Sequence, residues 1–325
     1  MRIVISIPVH EKPELINDQI KNIQKYIKNP TIILHISKVF YKKYKESDIK
    51  IYDNVYINPT HLETKWGGIY QTHVSNFKYI KSKIDFDYFL LQASNDAFVR
   101  KNIESYICKY DAGLNRRILW QRNSRWWPCA CAYDDVSLKK IMNSIGVTRI
   151  IASQIEGSFY RKNIFDYISN VIDKYITQDD IKNFNFYGRE EVYFSTIAQK
   201  AVDFSKCGFP TTFSEVHRFD RMIWNIRNKL DFLYDIGIKI FLNRNLMDSI
   251  ENKINNALFR SRVYKIKKCD IKAIILNNIE YLNHNSILND YPGYFRLYDE
   301  NNLYSVKRVP RDLENNIRKY INNLN

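Results

Sequence analysis

Two short segments of the chain place acidic residues where a carboxyl group can do chemistry. Asp96 closes the stretch DYFLLQASND, residues 87–96, in which an apolar run turns polar within a few residues. Glu190 and Glu191 open the stretch REEVYFSTIAQKAV, which has the pattern of a helix. A carboxylate can take the proton from a hydroxyl group as that group attacks an electrophile. The structural alternatives are a turn or capping residue for Asp96 and a solvated helix N-terminus for the two glutamates.

The elements before Asp96 predict how it is positioned. Apolar runs over 2–9, 31–37, 54–59 and 86–92 indicate strands, and helical spacing over 13–27 and 69–83 indicates helices. The order β-α-β-β-α-β over the first 90 residues is typical of a nucleotide-binding α/β sheet. Ligands of such sheets bind at the carboxyl ends of the strands, which is where Asp96 stands.

The rest of the chain is less regular. We predict helices at 102–109, 135–143, 161–175 and 189–202, and strands at 118–122 and 129–133. Residues 219–268 are amphipathic and basic, which indicates either a helix packed on the core or a surface that meets an anionic membrane. Residues 306–321 form a second basic segment.

Composition narrows the class of protein. Of 325 residues, 45% are hydrophobic and 26% charged, which suits a folded α/β protein. No apolar run is long enough to predict a membrane-spanning helix, and the N-terminus reads as a core strand, so we expect a cytoplasmic protein. The net charge of +15 favours an anionic partner: nucleic acid, an anionic membrane or a phosphorylated substrate. The five cysteines follow no zinc or disulfide spacing, and we expect buried free thiols.

Motifs for several familiar chemistries are missing. The sequence has no GxGxxG, Walker, HExxH or GxSxG motif, and no DxD motif at the carboxyl end of a predicted strand. Asn95 and Asp96 together supply one carboxylate, which is poor ligation for a hard divalent cation. We therefore expect neither a cofactor nor a divalent metal.

Six short blocks in the first 200 residues resemble, in order, those of the core-2/I-branching glycosyltransferases, the peptide xylosyltransferases and their bacterial relatives. The blocks are IPVHEKPEL (7–15), LHISK (34–38), WGGIYQTHVSN (66–76), DYFLLQASND (87–96), GSFYRKNIFDYI (157–168) and GREEVYFSTI (188–197). The resemblance implies a GT-A-like fold, a Rossmann-like nucleotide-binding sheet flanked by helices, here followed by a helical, basic C-terminal part. It also implies transfer of a sugar with inversion and without metal.

The same resemblance assigns roles to residues. Glu191, at the end of the family's "DE" pair, takes the role of catalytic base, with Glu190 and Glu156 as the alternatives. Ser37 stands where the family has an aspartate that contacts the nucleotide. The residues expected to bind the nucleotide-sugar donor are Pro8, Val9, His10, Ser37, Trp66, Gly67, Asp96, Lys307, Arg308 and Arg311. The last three are the local candidates for neutralising the leaving diphosphate, with Arg260 and Arg262 in second place.

Acceptor binding is expected from Glu156, Trp126 and Trp127, because tryptophan faces suit the apolar face of a sugar ring. A buried core pair is an equally good reading of the two tryptophans. The expected domains are a catalytic domain over 1–217, with a donor half at 1–100 and an acceptor half at 101–217, and an extension over 218–325 packed on it.

We therefore expect an inverting, metal-independent glycosyltransferase with a nucleotide-sugar donor, a UDP-sugar by resemblance. Its acceptor would be a glycan or lipid-linked glycan of a surface polysaccharide, lipopolysaccharide or capsule. We expect it in the cytoplasm, with the inner face of the plasma membrane as an anionic surface to bind. The rival classes are a basic nucleic-acid-binding protein, for which no recognition motif is visible, and a catalytically silent glycan-binding protein of the same fold.

Overall fold

The computed structural model describes residues 1–64, 67–115, 117–119, 127–177, 187–214, 236, 265–284 and 301–324. For residues 117–119, 127–130 and 283–284 it describes the backbone alone. The predicted basic segment 219–268 therefore lies almost entirely outside the described residues, as do Arg260 and Arg262.

A seven-stranded sheet forms the centre of the molecule, in the order β10-β6-β9-β4-β1-β2-β3. Strands β1, β2, β3 and β4 run parallel, whereas β9 is antiparallel to both β4 and β6. The bounds are β1 Ile3–Val9, β2 Thr31–Ile36, β3 Val55–Ile57, β4 Tyr88–Leu91, β6 Ala112–Gly113, β9 Phe159–Arg161 and β10 Cys207–Gly208.

Helices cover both faces of this sheet. The described helices are α1 Pro13–Tyr26, α2 Tyr70–Lys81, α3 Ile103–Ile107, α4 Trp127–Asp134, α5 Val136–Ile145, α6 Lys162–Tyr175, α7 Glu190–Ala198, α8 Lys268–Ile275, α9 Ile279–His284 and α10 Asn316–Asn322. One core lies between the sheet and α2, α5, α6 and α7, and a second lies between the sheet and α1 and α3.

Both faces of the central strands β1 and β4 are buried, which is why all their residues except Ser6 are apolar or aromatic. This architecture confirms the predicted α/β class, a Rossmann-like sheet flanked by helices, and is consistent with a GT-A-like fold. The predicted order of the first six elements is also confirmed.

Two small sheets complete the described part. A three-stranded sheet has the order β11-β12-β5, with β5 Ala97–Phe98, β11 Thr212–Phe213 and β12 Ser305–Val306. A two-stranded sheet pairs β7 Arg117–Leu119 with β8 Ile150–Ala152. Because β12 pairs with both β5 and β11, it brings the end of the chain to the segment that follows β4.

Two predictions about local structure are wrong. Residues 129–133, predicted as a strand, lie in helix α4. The alternation of cysteine, alanine and tyrosine there resembles a strand pattern. Small residues also suit a helix packed closely on the core, as the fully buried Ala132 of α4 shows. The cysteines are not uniformly buried: Cys207 is buried and Cys131 half-buried, whereas Cys108 and Cys269 are exposed thiols.

Among the helices of the described ranges, none combines the length and the apolar character needed to cross a bilayer.

Candidate functional site

Asp96 lies in the turn that leads from β4 to β5, and its two carboxylate oxygens differ. Oδ2 accepts a hydrogen bond of 2.8 Å from the backbone N–H of Ala93, which closes the turn. Oδ1 is buried and accepts no hydrogen bond within the described part of the chain. Asp96 is therefore a turn residue, as the structural alternative predicts, but only one of its two carboxylate oxygens stabilises the turn.

Glu156 reaches the same place from the segment before β9. The backbone of Gly157 and Ser158 exchanges hydrogen bonds of 2.7 and 2.9 Å with Leu91, the last residue of β4. Gly157 has a φ of +78°, and a Cβ there would lie 2.4 Å from the backbone nitrogen of Thr212, so only glycine fits. This close approach holds Glu156 beside the carboxyl end of β4.

Lys307 arrives from the C-terminal part. Lys307 directly follows β12, and its backbone N–H donates a 3.0 Å hydrogen bond to the Phe213 carbonyl. Hydrogen bonds between Asn95 and Val309 then join the following residues to the Asp96 loop. The Lys307 ammonium forms an ion pair with Glu156 in which both side chains are mostly buried. Arg308, the exposed residue that follows, has a φ of +60°, an unfavourable backbone conformation for arginine.

Glu190 and Glu191 begin α7, and the two side chains differ in burial. Glu190 is 6% exposed, and its Oε2 accepts no hydrogen bond from the described residues. Glu191 is half-buried. The backbone carbonyl of Glu191 accepts a 2.7 Å hydrogen bond from Ser153, which ties the start of the helix to β8. Glu190 is thus not the solvated helix terminus of the structural alternative.

Electrostatic interactions couple the acidic and basic groups of these four segments. Burial, reinforced by the nearby Glu156 carboxylate, raises the pKa of Asp96 to about 8, against the opposing charges of Lys307 and Arg308. Burial also raises the pKa of Glu190 to about 8, with Glu191 and Glu156 adding to the effect and Lys307 opposing it. At neutral pH the cluster thus combines the Glu156–Lys307 ion pair with two carboxyl groups, those of Asp96 and Glu190, that favour the protonated form.

A buried hub fixes the start of α7. Asp135 and Arg189, 1% and 3% exposed, form an ion pair at 3.1 Å. The Asp135 carboxylate also accepts hydrogen bonds of 2.7 Å from the hydroxyl groups of Tyr187 and Tyr193, and it caps α5 through backbone N–H groups. Since Arg189 directly precedes Glu190, this hub orients the glutamate pair.

The end of β1 carries a second polar group at the same edge of the sheet. His10 is exposed, and its Nδ1 lies 3.4 Å from the Ser94 hydroxyl of the Asp96 loop. Glu11 accepts hydrogen bonds of 2.7 and 2.8 Å from Nε of Arg311. The structure therefore divides the three predicted C-terminal cations. Lys307 pairs with Glu156, and the charges of Lys307 and Arg308 act on Asp96, whereas Arg311 pairs with Glu11.

Other predicted donor residues are buried. Pro8 and Val9 are the last two residues of β1 and are buried, and the backbone N–H of Ser37 donates a 3.1 Å hydrogen bond to the Val9 carbonyl. The Ser37 side chain is fully buried, so a nucleotide would meet its neighbours first. His35 is a core histidine: burial lowers its pKa to about 4, and its Nε2 accepts from Leu62.

Gly67 is placed by a steric requirement. Its φ is +77°, and a Cβ would lie 2.5 Å from the carbonyl oxygen of Tyr187, so the glycine allows residues 67–69 to pack against the segment that leads to Glu190. Trp66 and Trp126 lie outside the described residues, and Trp127 begins α4 with its side chain undescribed.

One sequence match to DxD does exist, at residues 85–87. It precedes β4 and so lies at the opposite end of the strand from Asp96. Asp85 accepts a 2.5 Å hydrogen bond from Lys162, and Asp87 accepts one of 2.6 Å from the Arg2 backbone. In the described part of the chain no cluster of His, Cys, Asp and Glu has the arrangement of a metal site.

Several contacts at the site had no signal in the sequence. The Glu156–Lys307 pair joins residues far apart in the chain. The strand that positions Lys307, β12, is only two residues long and is therefore too short to be predicted. The Asp135–Arg189 pair and the Glu11–Arg311 pair likewise depend on the tertiary fold. Glu11 is the exception: it could have been predicted as a site residue, because it lies in the VHEKP block that contains His10.

Comparisons with known proteins add little to this geometry. No protein-family model matches the chain, and no curated protein matches it. Among solved structures, the galactosyltransferase LgtC in complex with donor and acceptor sugar analogs matches 70% of this chain and 78% of its own, with 10% identity and a TM-score of 0.35. A likeness of that size supports no conclusion about the activity of this protein.

Proposed function

We propose that the protein is an inverting glycosyltransferase that moves a sugar from a nucleotide sugar to a hydroxyl group of a glycan. The observation that carries this proposal is the convergence of Asp96, Glu156, Glu190 and Lys307 at the carboxyl end of β4. Four chain segments contribute one side chain each, and the order of blocks over residues 7–197 resembles that of a known transferase family. The carboxyl edge of an open α/β sheet is also where such folds bind ligands.

In the proposed reaction Glu191 accepts the proton of the acceptor hydroxyl. The hydroxyl oxygen forms a bond to the anomeric carbon while the bond from that carbon to the diphosphate oxygen breaks, which inverts the configuration. Lys307 and Arg308 stabilise the negative charge on the departing diphosphate. An ammonium group has three N–H donors, so Lys307 can keep Glu156 as a partner and still contact a phosphate oxygen.

The proposal includes metal independence, a UDP-sugar donor and an acceptor that is a glycan of a surface polysaccharide, lipopolysaccharide or capsule. Metal independence is supported by two observations: Asp96 has no second carboxylate in the spacing of a DxD motif, and the charges of Lys307 and Arg308 act on it. The donor base and the acceptor rest on the family resemblance.

Thermal-shift measurements with a panel of nucleotide sugars, with and without EDTA, test this function. A ligand at 100 times its Kd stabilises the folded protein by about 2.7 kcal/mol, which is a readily measured shift. We expect one nucleoside diphosphate and its sugar conjugates to raise the melting temperature equally with and without chelator. Stabilisation by glycans alone would instead favour a silent glycan-binding protein, and stabilisation by oligonucleotides alone a nucleic-acid-binding one.

A further inference from the structure

We propose that Glu190 binds the sugar substrate as a neutral carboxyl group that donates a hydrogen bond, and that Glu191 alone acts as the base. The inference rests on the proposed function and gives the two adjacent acids separate roles.

The first support is geometric. Successive residues of a helix point about 100° apart, so Glu190 and Glu191 cannot present their carboxyl groups in one direction. Glu190 is 6% exposed and Glu191 half-buried. Within the described chain the Glu190 Oε2 atom accepts no hydrogen bond, and an unsatisfied buried oxygen costs stability unless a ligand supplies the partner.

The second support is the charge around Glu190. The charged groups that act on it are Glu191 on its own helix, Glu156 from the segment before β9, and Lys307 after β12. Because Lys307 is in contact with Glu156, much of its charge is already compensated. Burial and the two carboxylates raise the pKa of Glu190 to about 8, so its carboxyl group keeps a proton at neutral pH.

This protonation state fits sugar recognition and not proton removal. A neutral carboxyl group has one O–H donor and a carbonyl acceptor, which matches a sugar hydroxyl that accepts and donates at once. It also matches the carbonyl oxygen of an N-acetyl group. A general base, by contrast, must be reachable by the acceptor hydroxyl group, and Glu191 is the less buried of the two glutamates.

Steady-state transfer by the wild type, Glu190→Gln and Glu190→Ala provides the test. Glutamine keeps the shape and the hydrogen-bond donor, so we expect kcat/KM at pH 7 within about threefold of wild type. Alanine should lower kcat/KM by about tenfold or more, mainly through KM, because a hydrogen bond in a buried site is lost. Between pH 7 and 9 the wild-type rate should fall as Glu190 ionises. The Glu190→Gln rate should fall less, because only the wild type loses the Glu190 proton, whereas Asp96, whose pKa is also raised to about 8, loses its proton in both proteins. Glu280→Gln, an exposed acid of α9, is the matched control.

Melting curves without substrate give an independent readout. A carboxyl group whose pKa is raised on folding contributes stability at low pH, and this contribution is lost as the pH rises from about 4.5 toward 8. The melting temperature of Glu190→Gln should therefore gain on that of the wild type between pH 5 and pH 8, whereas Glu280→Gln should follow the wild type.

The outcomes separate this inference from the proposed function. A loss of about 10² in Glu190→Gln, the size expected when a general base is removed, would overturn the role of Glu190 while the wild type remains a transferase. An unchanged Glu190→Ala would overturn it as well. A wild type that turns over none of the nucleotide sugars would instead overturn the proposed function, and with it the sugar role of Glu190.

Discussion

At the scale of single residues, burial decides what each acid of the site can do. Glu156 shares its charge with Lys307, Glu190 is enclosed and favours the protonated form, and Glu191 is the least buried of the three. One carboxylate oxygen of Asp96 accepts a hydrogen bond within its own turn, and the other has no hydrogen-bond partner among the described residues. Four carboxyl groups of similar intrinsic acidity thus acquire different chemistry from their surroundings.

The assignment of the base makes the first prediction. Glu191→Gln keeps the size of the side chain but cannot accept a proton, so kcat should fall by at least about 10². The melting temperature should stay close to that of the wild type, because the side chain is half-buried and retains its hydrogen-bonding ability. Near wild-type turnover by Glu191→Gln would show that the base is another residue.

The second prediction concerns the cations. Replacement of both Lys307 and Arg308 by alanine should raise the Kd for a nucleoside diphosphate at least about tenfold, since hydrogen bonds to charged groups contribute about 1.5–3 kcal/mol. Replacement of both residues by glutamine keeps a polar side chain at position 307 beside Glu156, and it should have the same effect if charge is what matters. Lys319→Ala, an exposed lysine of α10, serves as the control.

Metal independence gives a related prediction. Saturating EDTA should leave the transfer rate unchanged. A transfer rate that falls when EDTA is added and recovers when manganese is supplied would contradict the metal-free mechanism.

At the scale of elements, the start of α7 is held by its contact with α5. Asp135 caps α5 and binds Arg189, and hydroxyl groups of Tyr187 and Tyr193 complete the arrangement. The two helix N-termini are therefore fixed to one buried carboxylate. Because Arg189 directly precedes Glu190, this carboxylate also fixes the orientation of Glu190 and Glu191.

The hub leads to the third prediction. Asp135→Asn removes the charge that compensates the buried Arg189, and loss of one partner of a buried ion pair costs about 3–5 kcal/mol. Urea unfolding should show that loss. The double variant Asp135→Asn with Arg189→Gln should recover part of it, because no buried charge remains. A single variant as stable as the wild type would show that the pair contributes little.

The sequence predicted those elements whose surroundings are simple. Strands β1, β2 and β4 are buried on both faces and appear as apolar runs, and α1, α5 and α6 have one apolar face. The two-residue strands β5, β11 and β12 are too short to have a period, so the three-stranded sheet could not be predicted.

The candidate site was predictable to a similar extent. Asp96 and the glutamate pair were identified from their place at the end of a strand and the start of a helix. The partners of these acids were not, because Glu156 and Lys307 meet only through the pairing of β12 with β11 and β5. The difference in burial between Glu190 and Glu191 is likewise a property of the packed helix.

At the scale of the whole molecule, the end of the chain is fastened to its beginning. Arg318 in α10 forms an ion pair with Asp18 of α1 and donates a 2.8 Å hydrogen bond to Asn95 in the Asp96 loop. Lys25 of α1 donates to the carbonyl of Asn322 at 3.0 Å. The segment that delivers Lys307 is thus anchored on both sides of the lysine, by β12 before it and by α10 after it.

The net charge of +15 leads to the fourth prediction. Residues 219–268 contain cations beside apolar residues, and each Lys or Arg near an anionic membrane contributes about 1 kcal/mol. We expect co-sedimentation with vesicles rich in phosphatidylserine at low salt and release at high salt. Absence of binding at low salt, or equal binding to neutral phosphatidylcholine vesicles, would leave the segment as part of the core.

Proton NMR of the wild type with nucleotide sugars in the presence of EDTA tests inverting, metal-independent glycosyl transfer in one experiment. We expect that one donor is consumed, that a nucleoside diphosphate is released, and that the anomeric carbon of the new product has the opposite configuration to that of the donor. Retention of the donor configuration would contradict the inverting mechanism, and failure to consume any donor of the panel, alone or with glycan acceptors, would contradict glycosyl transfer itself.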